Sequence, residues 1–176
     1  MKHKKTSFLK IAFVLSMLYS CQSEKKAVEK EAYLRWVGDI AQNEHLDDLN
    51  FRVCNGDENS LQYFNLGYGP VYKGEKSSLI NTFKSNYKAI TDANENGLVR
   101  IRFIVNCEGK AGRFRVLQSD YEYQETEFNS DIVSQLLNIT KGIEHWEVLY
   151  RDNVAVDYYM YLIFKIRDGQ LIDILP

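Results

Sequence analysis

Apolar and polar residues alternate most regularly between Leu98 and Cys107. Val99, Ile101, Phe103, Val105 and Cys107 fall on one face, and Arg100, Arg102 and Asn106 fall on the other. A period of two is the mark of a half-buried strand, here about 98–107. Glu108-Gly109 then reads as a two-residue turn into a second strand, about 111–118. Folding the chain there sets Phe114 opposite Phe103 and Val116 opposite Ile101. A slip of one residue would turn the apolar set outward, so the register is strongly specified. A long strand is predicted over about 154–166, with Val154, Val156, Tyr158, Met160, Leu162, Phe164 and Ile166 inward. A last strand, about 170–175, follows a three-residue loop, Arg167-Asp168-Gly169, and pairs Phe164 with Ile172 and Leu162 with Ile174. A two-residue loop at Asp168-Gly169 would put Asp173 opposite Phe164, so the longer loop is preferred.

Spacings of three and four mark the helices. One spans about 75–88, with Leu79, Ile80, Phe83 and Tyr87 on one side. Another spans about 127–140, capped by Thr126 and striped by Phe128, Ile132, Val133, Leu136, Leu137 and Ile139. A third, about 32–44, carries Tyr33, Trp36, Val37, Ile40 and Ala41. Residues 49–71 are rich in turn formers, with room for short strands near 51–54 and 61–65. The elements predict an α+β fold: an antiparallel sheet packed by helices, preceded by an N-terminal helix.

The start of the chain changes where this domain is expected to be. Lys2, Lys4, Lys5 and Lys10 precede an apolar run from Ile11 to Leu18, and Leu18-Tyr19-Ser20 leads to Cys21. That is the layout of a lipoprotein leader, and the run is shorter than the ~20 residues of a spanning helix. The expected organisation is a leader at 1–20, a tether at 21–31 and one α+β domain at 32–176. Cys21 is the expected lipid acceptor, placing the protein in the cell envelope. The outer membrane, facing the periplasm or the surface, is the expected address. Without the leader, 18 basic side chains face 24 acidic ones. Nucleic acid is therefore not an expected partner. In an oxidising compartment Cys54 and Cys107 are either a disulfide or two buried thiols.

From 75 onward the predicted order is helix, strand, strand, helix, strand. The run Gly97-Leu-Val-Arg-Ile-Arg-Phe-Ile-Val-Asn-Cys-Glu-Gly109, the strand end Leu117-Gln118-Ser119, the helix through Gln135-Leu136-Leu137, Trp146 and the strand from Val154 resemble the TonB C-terminal domain family. The resemblance covers about 75–176. It implies the same sheet-and-helix architecture and a strand edge able to accept an extended peptide. The family's Trp-x-Pro is Trp146-Glu147-Val148 here. The chain has Pro70 and Pro176 but no proline-rich spacer. A lipid-anchored chain of this kind is not expected to be an energy transducer.

Two surfaces are candidate binding sites. Arg100, Arg102, Arg113 and Arg115, with Tyr159 and Tyr161, share the outward sheet face. This is either a ligand face for an acidic or carbohydrate-like molecule, or a face covered by residues 33–75 and acidic groups such as Asp157. Ile172, Asp173 and Ile174 form a candidate edge strand for a peptide partner, or for a second copy in a homodimer. Catalytic motifs are absent: there is no His-Glu-x-x-His, Gly-x-Ser-x-Gly, phosphate loop or Cys-x-x-Cys. Cys107 with His145 is the one nucleophile pair to weigh, and a structural cysteine is the preferred reading. No cofactor or metal is expected. The sequence therefore predicts a non-catalytic binding or assembly module, accessory to an outer-membrane transport complex. A small envelope-polymer hydrolase and a purely structural dimer are the alternatives.

Overall fold

The computed structural model of the protein describes residues 39–67, 72–90 and 94–175. All of them belong to one unit, Leu34–Pro176. A 3-10 turn at Asp57–Asn59 precedes strand β1 (Leu61–Gln62), and a second 3-10 turn spans Tyr63–Leu66. Helix α1 (Glu75–Asn86) follows, then strands β2 (Gly97–Val105) and β3 (Ala111–Ser119) and helix α2 (Ser130–Lys141). The chain continues through β4 (Leu149–Arg151), β5 (Val154–Val156), β6 (Tyr158–Arg167) and β7 (Gln170–Leu175). The fold is α+β. The five-stranded sheet runs β1-β6-β2-β3, with β7 also on β6, while β4 and β5 form a separate ribbon. The β1–β6 pair is parallel, and every other pair is antiparallel.

Alternation places the inner face where the pattern requires. Val99, Ile101, Phe103 and Val105 of β2 meet Tyr158, Met160, Leu162, Phe164 and Ile166 of β6 in one core. Leu79 and Phe83 of α1 and Ile132 and Leu136 of α2 close it from above. Full burial of each such side chain contributes about 1.5–3 kcal/mol. The Phe83 and Phe164 rings lie 4.7 Å apart, centroid to centroid.

Several boundaries differ from the prediction, each for a visible reason. The β2–β3 loop holds three residues, Cys107-Glu108-Gly109, because the Asn106 amide donates to the Lys110 carbonyl at 2.9 Å. That loop shifts the pairing by one: Val105 faces Ala111 and Ile104 faces Gly112. A bulge at Arg113, φ 55°, absorbs the extra residue. Beyond it Arg102 faces Arg115 and Ile101 faces Val116. The Phe103 and Phe114 rings stack at 5.2 Å.

The last hairpin uses the opposite solution. Its loop is the two-residue Asp168-Gly169, with φ of 47° and 69°. A bulge at Ile172 then sets Phe164 opposite Ile174 and Lys165 opposite Asp173. The expected Phe164–Ile172 and Leu162–Ile174 pairs do not form.

The predicted strand 154–166 is interrupted at Asp157: β5 pairs with β4, whereas β6 pairs with β2. Thr126 does not cap α2. Its amide is bonded to the Gln118 carbonyl at 3.4 Å, and Asn129 is the cap, accepting from the Asp131 amide at 2.9 Å. Residues 51–54 form no strand, and only Leu61–Gln62 of 61–65 does.

The expected helix 32–44 lies outside the described residues as far as 38. From Asp39 to Gln42 the chain is not helical. Here the carbonyls of Ile40 and Ala41 accept from Arg113 and Arg115 rather than from helical amides. Ile40 is held by Phe51, Ile104 and Tyr159.

Candidate functional site

The arginine face is closed, at its β3 side, by the chain that precedes β1. Ile40, Phe51, Ile104 and Tyr159 form a small second core on the outward side of the sheet. Gly112 belongs to this contact: a Cβ there would overlap the Phe51 ring. The bulge turns Arg113 to the same side. Its guanidinium bonds Asp57 at 2.8 Å, the Ile40 carbonyl at 3.2 Å and the Gln42 amide oxygen at 3.4 Å. Arg115 grips Asp47 with two bonds, 2.6 and 2.8 Å, and reaches the Ala41 carbonyl at 2.7 Å. The Asp47 side chain is only 1% exposed. The Arg115 hydrogen bond outweighs that burial and lowers the Asp47 carboxyl below its ordinary 3.8.

The remaining members of the predicted ligand face are also turned to protein. Arg100 and Arg102 are buried. Arg100 donates to the Ser119 hydroxyl at 2.8 Å and lies 5.6 Å over the Tyr123 ring. Tyr159 is buried in the second core, and Tyr161 packs edge-on against Tyr63 at 5.5 Å. Of the two readings of this face, the described residues show coverage by the chain that precedes β1 and not an open ligand face. Asp47 and Asp57 supply the acidic groups, 68 and 56 residues from their arginines. Asp157 plays a different part.

Asp157 is fully buried where β5 gives way to β6. Its carboxylate accepts from the Cys54 amide at 2.9 and 3.0 Å and from the Asn55 amide at 2.7 Å. It also accepts from the Asn55 side chain at 3.1 Å and the Cys107 amide at 3.0 Å. Such charge-assisted bonds to backbone N–H groups stabilise an anion that has been stripped of water. Beside it Cys54 and Cys107 form a disulfide, closing a separation of 53 residues. Asn106 completes the junction. Its side-chain NH2 donates to the Arg52 carbonyl at 2.9 Å, and its side-chain oxygen accepts from the Glu108 and Lys110 backbone amides at 3.0 Å. The segment before β1 is thus fixed to the β2–β3 turn by one covalent bond and two side-chain hubs.

The chemistry of this junction is structural. The two sulfurs and the Asp157 carboxylate lie within 4.8 Å of one another, a spacing that could hold a metal. The bridged sulfurs, however, offer no thiolate, and the carboxylate is already occupied by protein donors. The same bridge removes Cys107 as a nucleophile partner for His145. His145 is exposed, and its carbonyl accepts from the Lys73 amide at 3.3 Å. Sequence reasoning missed the Asp157 hub. One signal was present: a single carboxylate within the apolar and aromatic run from Val154 to Phe164.

The candidate edge strand is partly open. β7 covers β6 from Ile163 to Arg167, while β1 covers Tyr158 and Tyr159. Ile174 is a core residue, 3% exposed, whereas Ile172 and Leu175 are 43% and 39% exposed. The Ile172 bulge and the Asp173 carboxylate, which takes the Ile174 amide at 2.8 Å, interrupt the ladder on this strand. β3 is treated alike, with its bulge at Arg113 and the Arg115 side chain on the Phe114 carbonyl at 2.8 Å. A bulge plus a charged side chain on the backbone is a known defence against unwanted pairing.

These features define a disulfide-clamped α+β protein with a covered outer sheet face. The chain matches no protein-family model, no curated protein and no solved structure.

Proposed function

We propose that this is a lipid-anchored cell-envelope protein whose folded part is a non-catalytic binding or assembly module. The observation that carries the reading is the Cys54–Cys107 disulfide beside the buried Asp157. Disulfides persist in oxidising compartments, and a leader at 1–20, ending just before Cys21, delivers a chain there. No described helix is long and apolar enough to cross a membrane, so an anchor at Cys21 supplies the attachment in this reading. The reading takes its setting from the sequence likeness of residues 75–176 to the TonB C-terminal domain family. That likeness makes an envelope transport complex the natural setting.

The partner meets the protein at β7. Ile172 and Leu175 give that strand apolar contacts, and a partner strand must displace Asp173 from the Ile174 amide. The test has two parts. Cells fed an alkyne fatty acid should label the wild-type protein and not Cys21→Ser; equal labelling removes the anchor. A photo-crosslinker at Ile172 should capture one envelope protein reproducibly. A self-adduct would favour the structural dimer, and no adduct from a correctly anchored protein would overturn the β7 site.

A further inference from the structure

The chain holds two Asn-Gly pairs, Asn55-Gly56 and Asn96-Gly97. An asparagine before glycine can lose its side-chain nitrogen without an enzyme, because glycine has no Cβ to hinder attack by its own amide. The bond changes balance with water alone. The glycine amide nitrogen gives its proton to water and bonds to the asparagine Cγ. The Cγ–NH2 bond breaks, and ammonia leaves with a proton. Water then opens the resulting ring at either carbonyl. The products are aspartate and isoaspartate, each with a new carboxylate, for one water consumed and one ammonia released.

The fold treats the two pairs differently. The Asn55 carboxamide donates to the Ala155 carbonyl and to the Asp157 carboxylate, both at 3.1 Å. Its backbone amide is held by Asp157 at 2.7 Å, and the neighbouring Cys54 is covalently bridged. The ring cannot close until these bonds open together, and the buried Asp157 charge opposes an anionic nitrogen one residue away. Asn96 is exposed. Its NH2 donates to the Asn94 carbonyl at 3.2 Å and to the Asp168 carboxylate at 3.4 Å, long bonds that water can replace. Gly97 is the first residue of β2, and a strand end opens more easily than its middle.

What Asn96 holds gives the reaction a consequence. Its side-chain oxygen accepts from the Asp168 amide at 3.2 Å, and the Glu95 carbonyl accepts from the Gly169 amide at 3.2 Å. Asp168-Gly169 is the turn from β6 into β7. An aspartate at 96 would set a carboxylate against that of Asp168, where the carboxamide had donated to it. An isoaspartate would add one atom to the main chain between Glu95 and Gly97. Gly97 has little room to yield: its φ is 146°, and even a Cβ there would lie 2.3 Å from the Ser119 carbonyl oxygen.

We infer that Asn96 is a site of spontaneous deamidation and that the new carboxylate loosens the β6–β7 turn. The inference goes beyond the β7 partner and does not depend on it. The experiment ages the full chain in detergent micelles at mildly alkaline pH and maps its peptides by mass, reading the gain as NH2 becomes OH. A reduced, urea-unfolded sample is the reference in which both sites react. In the folded chain Asn96 should react at least about ten-fold faster than Asn55, which must first break its buried bonds. Deamidated protein, separated by its extra negative charge, should exchange the amides of residues 168–175 about five-fold faster or more than fresh protein. Asn96→Gln keeps a carboxamide and, aged alike, should show neither the mass gain at 96 nor the faster exchange. Asn55 reacting as fast as Asn96, an intact Asn96 once the unfolded reference has reacted, unchanged exchange across β7, or faster exchange in aged Asn96→Gln would each overturn the inference.

Discussion

Asp157→Asn isolates what the buried carboxylate does. The substitution keeps the shape, removes the charge and puts an NH2 group where an acceptor oxygen stood. Three backbone amides, from Cys54, Asn55 and Cys107, point at that carboxylate, and the Asn55 side chain makes a fourth donor. The asparagine has one acceptor oxygen, so it cannot serve both sides of this cluster. Each buried donor left unsatisfied costs about 1–3 kcal/mol. One or two stranded donors, with weaker bonds for the rest, give a loss of about 2–5 kcal/mol. That is a large share of the roughly 5–15 kcal/mol by which domains are stable. Urea unfolding at pH 7 measures it. With a slope of about 1.5 kcal/mol per molar, a loss of 3 kcal/mol lowers the midpoint by about 2 M. Both proteins must be oxidised, which intact mass after thiol blocking verifies. A shift equivalent to less than about 1 kcal/mol would refute the reasoning, because water would then be satisfying the amides.

The disulfide and the Asp47–Arg115 pair give the remaining predictions. Replacing both Cys54 and Cys107 by Ser should cost up to about 4 kcal/mol, from the chain entropy of a 53-residue separation. Its effect should be non-additive with Asp157→Asn, since both act on the amides of residues 54 and 107; full additivity in a urea double-mutant cycle would contradict a shared junction. Asp47 has a folded-state pKa below its ordinary 3.8, so its stabilisation is present above about pH 4 and fades as pH falls through the folded value. The stability gap between wild type and Asp47→Asn should therefore close in strong acid. A gap unchanged from pH 7 to about pH 2 would show that Arg115 does not hold the carboxylate as described.

Much of the inner face was legible because burial on one side writes a period into the chain. Val99 to Val105 and Tyr158 to Ile166 alternate, and Ile132 and Leu136 recur one helical turn apart. Those local periods determined the α+β class, the two helices and most of the inward residues; Val154, expected inward, is exposed on the separate β4–β5 ribbon. The arginines were also correctly placed on the outward face. What they would meet was not readable, because Asp47 and Asp57 approach from 68 and 56 residues away and sit in turns without periodicity.

The hairpins show the same division. The sequence by itself determined that Phe103 and Phe114, and Ile101 and Val116, must share the core. Only the tertiary structure decided how: a longer turn with a bulge at Arg113 in one hairpin, a shorter turn with a bulge at Ile172 in the other. Turn length and bulge can be traded against each other without exposing the apolar face. The hydrophobic pattern constrains their sum and leaves the choice to the packing around each strand. At the first hairpin the packing is specific: Phe51 against Gly112 and Asp57 on Arg113 hold the bulge where it is. The Asp157 hub belongs to the same category, since a carboxylate can replace water only after distant backbone amides have been brought around it.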